Sequence, residues 1–221
     1  MRRSLSRERA SIVVDLNGHT GTVPTLAASL WIRRAVDALT QDSGGFHSIV
    51  DLRLAHCHVR SWRESDAESL AAHANNRRVW LNLRDGFPHP YALADARRFI
   101  QAALAMTPET RFAIEVQTEA AGGIGFTLHD DVERVSAEIG YWLGEIFWGR
   151  GIMTEALAGV TAHAIRAHHL TRVFAVPYEW NPASFRVLEK VGYVCEGRMR
   201  RSALKDGRVI DQLLYAYTVG D

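Results

Sequence analysis

The stretch that decides the fold reads EIGYWLGEIFWGRGIMTEAL, residues 138–157. Apolar side chains alternate along its first part, with Ile139, Tyr141 and Leu143 on one face, which predicts a β-strand. After a short loop, apolar residues recur from Met153 at intervals of three and four positions, which predicts a helix. A strand joined to a helix in this way is half of a βαβ unit.

The turn between these two elements, WGRGIMT at residues 148–154, has the composition of an anion site. The first N–H groups of a helix have no partner within the helix, and the helix dipole favours negative charge there. Gly149 and Gly151 let a phosphate approach the backbone, Arg150 adds a charge, and Thr154 adds a hydroxyl donor. An ordinary glycine turn before a helix remains the alternative. The turn is not a dinucleotide fingerprint, because the third glycine would fall on Thr154.

Strands and helices are predicted on both sides of this segment, and the mixed order indicates an α+β sandwich around a mixed sheet. The other predicted strands cover residues 49–60, 111–117, 124–128, 173–178, 193–200 and 209–218, with turns at 120–123 and 205–207. The other predicted helices cover residues 25–40, 66–74 and 93–106, with one more opened by Asn181-Pro182 and ended by Gly192.

The 221 residues allow either one large domain or one domain plus an extension. A polar, glycine-containing stretch at residues 41–45 reads as a linker. We therefore expect residues 1–47 to form a partly helical extension of unknown role. Residues 48–219 are expected to form the main domain.

Composition excludes several classes of protein. Lys and Arg number 26 against 25 Asp and Glu, a net charge of +1 that argues against a nucleic-acid binder. No apolar run reaches the ~18 residues of a membrane helix, so no membrane partner is expected. The two cysteines, Cys57 and Cys195, form no CxxC pair, which favours a reducing compartment and a cytoplasmic location.

Three segments carry a resemblance to a known family. The stretch at residues 138–157, NPASFRVLEKVGY at 181–193 and EGRMRRSALKDGRVIDQLLYA at 196–216 resemble GNAT-superfamily N-acetyltransferases, most of all the branch that acetylates ribosomal-protein N-termini. The resemblance implies a mixed central sheet flanked by helices. It also implies acetyl-CoA as donor, and a protein N-terminal α-amine or a small amine as acceptor. The amine would attack directly in a ternary complex.

The same resemblance assigns cofactor-binding residues. The turn at residues 149–154 would hold the CoA diphosphate through backbone amides, the strand before it would pair with the pantetheine arm, and Asn181 would also contact CoA. The sequence departs from the family signature at Trp148 and Met153. The residues assigned to the cofactor are Ile139, Tyr141, Trp142, Leu143, Gly149, Arg150, Gly151, Ile152, Met153, Thr154 and Asn181.

Two residues are candidates for catalysis. Glu138 lies in the strand that would flank the thioester, and we expect it to act as general base. The alternative is that this glutamate pairs with a neighbouring arginine. Many family members carry a tyrosine as general acid where this chain has Leu188, so Ser184 or a water is expected to donate the proton to the thiolate.

Other features leave alternatives open. His56 and His58 would share one face of a predicted strand, but a metal site needs further ligands, so no metal is expected. Trp80, Phe87, His89 and Tyr91 flank a proline-containing loop that either borders the acceptor site or packs the core. An acyl-CoA sensor or partner-binding module without catalysis is the alternative function. A homodimer is also left open.

Overall fold

A computed structural model of the protein describes residues 50–220. Its strands are β1 (Asp51–Arg53), β2 (His58–Ser61), β3 (Arg111–Val116), β4 (Glu119–Leu128), β5 (Ser136–Leu143), β6 (Arg172–Ala175), β7 (Val194–Lys205) and β8 (Arg208–Thr218). Its helices are α1 (Ala67–Ala74), α2 (Arg77–Trp80), α3 (Leu93–Leu104), α4 (Ile152–His168) and α5 (Pro182–Val191). The helix predicted at residues 25–40 and the linker at 41–45 lie outside the described residues.

The strands form one eight-stranded sheet in the order β1-β2-β3-β4-β5-β6-β8-β7. Neighbours are antiparallel except β5 and β6, which are parallel and joined by α4. These two strands pair at only three positions, the last of which is Glu138 with Phe174. From Ile139 to Leu143, β5 pairs with β4 alone, so the sheet opens between β5 and β6. The expected mixed sheet flanked by helices is confirmed.

Two cores cover the two faces of this sheet. Strand β3 shows why, because its side chains alternate in direction along the strand. Phe112 and Ile114 enter the core formed with α4 and α5, whereas Ala113 enters the core formed with α1 and α3. The apolar residues that recur along α4 at intervals of three and four positions are buried near the middle of the helix, as at Leu157 and Val160.

Local capping signals predicted the last helix correctly. The Asn181 side chain accepts a hydrogen bond from the Ser184 amide at 3.2 Å, as an N-cap does. Gly192 ends α5 at a φ of 97°, in the left-handed region that favours glycine. Asp206 and Gly207 form the predicted hairpin turn with φ values of 51° and 74°.

Three predicted elements differ in the structure. The strand predicted at residues 49–60 is instead two antiparallel strands, β1 and β2. The chain turns between them, where the Leu54 amide donates a hydrogen bond to the Cys57 carbonyl at 2.8 Å. The turn predicted at 120–123 lies inside β4, and the hairpin instead turns at residues 117–118. Strand β6 ends at Ala175, before Pro177, which has no N–H to donate to a neighbouring strand.

The glycines that suggested the misplaced turn have another role. A Cβ at Gly122 would lie 2.4 Å from the Trp142 carbonyl oxygen, and one at Gly123 would lie 2.9 Å from the Trp142 indole nitrogen. Glycine is therefore required here for the close approach of β4 to β5.

Candidate active site

The opening between β5 and β6 is a cleft of about 940 Å³. The structure brings together every residue that the sequence assigned to the cofactor or to catalysis, since all of them line this cleft. They are Glu138, Ile139, Tyr141, Trp142, Leu143, Gly149, Arg150, Gly151, Ile152, Met153, Thr154, Asn181 and Ser184.

The turn before α4 presents its backbone to the cleft. Gly149 and Gly151 have φ values of 77° and 80°, which side chains other than glycine rarely adopt. A Cβ built on either glycine would meet nothing within 4 Å, so the space in front of the backbone is open. Within residues 50–220, the amides of residues 149–153 donate no backbone hydrogen bond. The first bonds of α4 run from the Thr154 and Glu155 amides to the Gly151 carbonyl, at 3.0 and 3.2 Å.

These features fit a diphosphate. Unpaired amides at the start of the 17-residue helix α4 combine with its dipole to favour an anion. Arg150 is exposed, with its guanidinium 5.6 Å from the Phe147 ring centroid. Met153, whose bulk departs from the family signature, packs against the core as well as lining the cleft. Trp148 donates its indole N–H to the Leu143 carbonyl at 2.7 Å, which ties the turn to the end of β5.

The exposed edge of β5 suits an extended, amide-containing chain. In an antiparallel ladder, alternate residues direct their N–H and C=O groups away from the partner strand. From Ile139 to Leu143 these groups face the cleft rather than β6. A ligand with its own amides could therefore add to this edge as a strand does.

Tyr141 and Ser184 join the two walls of the cleft. Their hydroxyl oxygens lie 2.8 Å apart, one on β5 and the other on the first turn of α5. Burial raises the pKa of the Tyr141 hydroxyl far above its ordinary range, and the bond to Ser184 only partly opposes this. The phenol is thus protonated at neutral pH. The sequence assigned Tyr141 to the cofactor, but it did not indicate the contact with Ser184, because no local pattern shows which side chain of α5 lies opposite Tyr141.

Glu138 lies where β5 and β6 begin to separate. Its carboxylate pairs with the Arg84 guanidinium at 2.5 Å. The glutamate side chain is 29% exposed and the arginine 75% exposed. The ion pair that the sequence left as an alternative is therefore present, and it stands at the solvent-facing mouth of the cleft.

Residues 77–91 form a further wall of the cleft. Of the four aromatic residues predicted to flank this loop, Phe87 and Tyr91 line the cleft, with ring centroids 4.7 Å apart. Trp80 and His89 instead stack on each other at 5.6 Å and do not line it. Phe87 and Tyr91 also pack in the core formed with α1 and α3, whereas His89 is exposed, so the packing interpretation applies to the pair that lines the cleft.

The tip of the β7–β8 hairpin holds this wall in place. Lys205 is 1% exposed, and its ammonium lies 2.8 Å from the Asp85 carboxylate and 3.7 Å from the Trp80 ring centroid. Arg77 reaches Asp206 in the hairpin turn at 2.7 Å. Sequence reasoning missed these contacts, because they join segments more than 100 residues apart.

The two histidines considered as metal ligands point to different partners. His56 lies in the turn before β2 and bonds to Glu155 at 2.5 Å, whereas His58 bonds to Asp51. They do not share a strand face, because the predicted single strand is broken between them. Among the described residues, no group of three or more His, Cys, Asp or Glu could hold a metal ion. None of the helices in residues 50–220 has the length and apolar character needed to span a bilayer.

Known proteins share both the sequence pattern and the fold. The acetyltransferase (GNAT) domain matches residues 57–194. The chain is 30% identical over 163 residues to the uncharacterized N-acetyltransferase YoaA of Bacillus subtilis, covering 72% of this chain and 90% of YoaA. It is 31% identical over 105 residues to the ribosomal-protein-serine acetyltransferase of Escherichia coli, covering 48% of this chain and 58% of that protein.

A solved structure of RimL, a ribosomal L7/L12 alpha-N-protein acetyltransferase in complex with coenzyme A, superposes with a TM-score of 0.68 at 25% identity. The match covers 78% of this chain and 98% of RimL. The resemblance noted in the sequence is confirmed by these matches: the chain belongs to the GNAT acetyltransferases.

Proposed function

We propose that this acetyltransferase transfers the acetyl group of acetyl-CoA to a primary amine, either a protein N-terminal α-amine or a small amine. The observation that carries the proposal is a single cleft with the glycine turn, Glu138, and the Tyr141–Ser184 pair on its walls. The names of two relatives support a protein N-terminus, since one acetylates a ribosomal-protein serine and RimL acts on the α-amine of L7/L12.

Donor binding is proposed to use backbone groups. The amides of residues 149–153 and the Thr154 hydroxyl would hold the diphosphate, and the free edge of β5 would pair with the amides of the pantetheine arm. Asn181 would contact the donor while it caps α5. This scheme explains how a chain of net charge +1 could bind a polyanion without a basic surface.

The proposed chemistry is direct transfer. The amine nitrogen attacks the thioester carbonyl carbon, a C–N bond forms, and the C–S bond breaks. Glu138 takes the proton that the amine loses, directly or through water. Ser184 donates a proton to the departing thiolate and regains one from Tyr141, and solvent returns to Tyr141 the proton that Glu138 releases. Holding both reactants in one cleft contributes about 7–11 kcal/mol, more than either proton transfer alone.

The cysteines do not favour an acyl-enzyme. Neither Cys57 nor Cys195 is among the described residues that line the cleft. Burial raises the pKa of the Cys57 thiol to about 12, so this group is a poor nucleophile at neutral pH. Direct attack by the amine is therefore the simpler route.

Basicity favours an α-amine over a lysine side chain. An α-amine has an ordinary pKa of about 8 and a lysine ε-amine one of about 10.4. A larger fraction of the α-amine is neutral, and thus nucleophilic, at pH 7. An enzyme whose candidate base is engaged by Arg84 benefits from an acceptor that needs little deprotonation.

A mass-spectrometric screen tests this proposal. The purified protein would be incubated with acetyl-CoA and, separately, N-terminal peptides, polyamines and aminoglycosides. A mass increase of one acetyl group on a peptide or small amine is expected. Absence of product with every amine, despite measurable acetyl-CoA binding, would favour the sensor alternative.

A further inference from the structure

Asn82 carries a buried polar atom that has no partner within the described chain. The residue follows α2, and its side-chain nitrogen donates to the Arg78 carbonyl at 2.9 Å. Its side-chain oxygen is buried and accepts no hydrogen bond within residues 50–220. Asn82 also lines the cleft. Buried acceptors are nearly always paired in folded proteins, so an unpaired one calls for a reason.

The orientation of this amide follows from its partner. A backbone carbonyl can only accept a hydrogen bond, so the Asn82 group facing Arg78 must be the NH₂ group. The Asn82 side-chain oxygen is then the atom that lacks a hydrogen-bond partner within residues 50–220. The other unpaired buried atoms of the described residues are nitrogens of Trp62, His73 and Trp180, and none of these residues lines the cleft.

The segment that contains Asn82 crosses the opening between β5 and β6. At one end, Arg78 lies 5.1 Å over the Trp148 ring, just beyond β5. At the other end, Arg84 pairs with Glu138, where β5 and β6 separate. Between them, the Leu83 carbonyl accepts from the Tyr178 hydroxyl at 3.4 Å, on the β6 side. Asn82 therefore lies in the same cleft-lining segment as Arg84, which pairs with Glu138.

We propose that the Asn82 side-chain oxygen accepts a hydrogen bond from the acceptor's primary amine. This inference rests on the proposed function. A neutral primary amine on a carbon chain has two N–H groups and one lone pair. With one N–H on Asn82 and the other toward Glu138, the lone pair is left for the thioester carbonyl. A secondary amine has only one N–H, so the pair of acceptors selects for primary amines.

Kinetics on a hexapeptide with an N-terminal serine test this assignment. For Asn82→Leu, we expect the KM for the peptide to rise about tenfold, the loss of one hydrogen bond, while the Kd of acetyl-CoA stays unchanged. Asn82→Asp keeps an acceptor oxygen but loses the N–H that bonds to the Arg78 carbonyl, so its KM should lie between those of the wild type and Asn82→Leu. The wild type should also prefer this peptide to its N-methylated form, and Asn82→Leu should reduce that preference.

Asn76→Ala is the matched control. Asn76 caps α2 by accepting from the Arg78 and Val79 amides, and it does not line the cleft. If Asn76→Ala raises the peptide KM as much as Asn82→Leu does, the effect belongs to the placement of α2 and the assignment is wrong. An unchanged KM in Asn82→Leu also overturns the assignment, but leaves the proposed function standing. Failure of the wild type to acetylate any primary amine overturns both.

Discussion

The hydroxyl groups of Tyr141 and Ser184 are 2.8 Å apart, although the residues are 43 positions apart in the chain. The bond joins β5 to α5 across the cleft, where the sheet is open. Burial raises the pKa of Tyr141, so the phenol is protonated at neutral pH and can donate a hydrogen bond to the Ser184 hydroxyl. We propose that this pair supplies the proton donor in place of the tyrosine that many family members carry at the position of Leu188.

Removing this donor should slow the chemical step. We expect Ser184→Ala to lower kcat about 100-fold, the low end of what a positioned acid contributes, with little change in the Kd of acetyl-CoA. Tyr141→Phe should lower kcat by a smaller factor. The double variant should be no slower than Ser184→Ala alone, because both residues act on the same proton. Steady-state kinetics and calorimetry measure these quantities.

Tyr193→Phe is the control for the loss of a buried phenol. The Tyr193 hydroxyl bonds to Thr161 at 2.7 Å, and the residue does not line the cleft. This variant should lose about 1 kcal/mol of stability and keep its kcat. Equal kcat losses in Tyr193→Phe and Tyr141→Phe would remove the case for a proton relay.

The Glu138 carboxylate should matter most at low pH. We expect Glu138→Gln to lower kcat/KM about 100-fold near pH 7, because an α-amine is then largely protonated and needs a base. The deficit should shrink as the pH rises past about 8, the ordinary pKa of an α-amine. A pH profile of both proteins measures this. Arg84→Gln keeps the carboxylate, so a deficit in this variant as large as that of Glu138→Gln would point to the ion pair rather than to a base.

The glycine turn should be the most sensitive part of the donor site. Gly151→Glu places a negative charge and a side chain where the unpaired amides face the cleft, and it forces a φ of 80° on a non-glycine residue. We expect acetyl-CoA to bind at least about tenfold more weakly, as measured by calorimetry.

Two variants separate the causes of that loss. Gly151→Ala introduces the backbone strain without the charge. Gly197→Glu adds the same charge on β7, at a glycine that does not line the cleft and has open space for a Cβ. Equal binding by Gly151→Glu and the wild type would be incompatible with a diphosphate site at this turn.

Stability should depend on pH through His163. Burial lowers the pKa of His163 to about 4, and His168 and Arg166 act in the same direction. Between the ordinary pKa of about 6.5 and pH 4, the unfolded chain binds a proton that the folded protein does not. The stabilising effect is thus fully present above pH 6.5 and declines as the pH falls toward 4, by up to about 3 kcal/mol.

Urea unfolding at several pH values checks this dependence. His163→Leu should unfold with a flatter pH dependence across the same window. His169→Asn is the control, because His169 is exposed and its left-handed φ of 53° suits asparagine. If His163→Leu and the wild type lose stability in parallel as the pH falls, another group is responsible.

Features with local causes were predictable from the sequence. The helix from Pro182 to Val191 begins and ends where its asparagine cap and its glycine indicate, because both act within one helical turn. The failures have causes elsewhere in the chain. Gly122 and Gly123 suggested a turn, but they lie within a strand because β5 approaches too closely for a side chain. No local pattern encodes that approach.

The sequence by itself determined the glycine turn and the strand and helix on either side of it, and its resemblance to GNAT enzymes indicated the family and the class of donor. The turn, strand and helix depend on periodicity and on backbone freedom, which residues close together in the chain control. Only the tertiary structure decided which residues line the cleft together. Asn82, Arg84 and the Tyr141–Ser184 bond come from separate segments, and they meet because β5 and β6 stop pairing after Glu138. Contacts between such distant segments depend on how the helices and loops pack against the sheet, which no single stretch of sequence specifies.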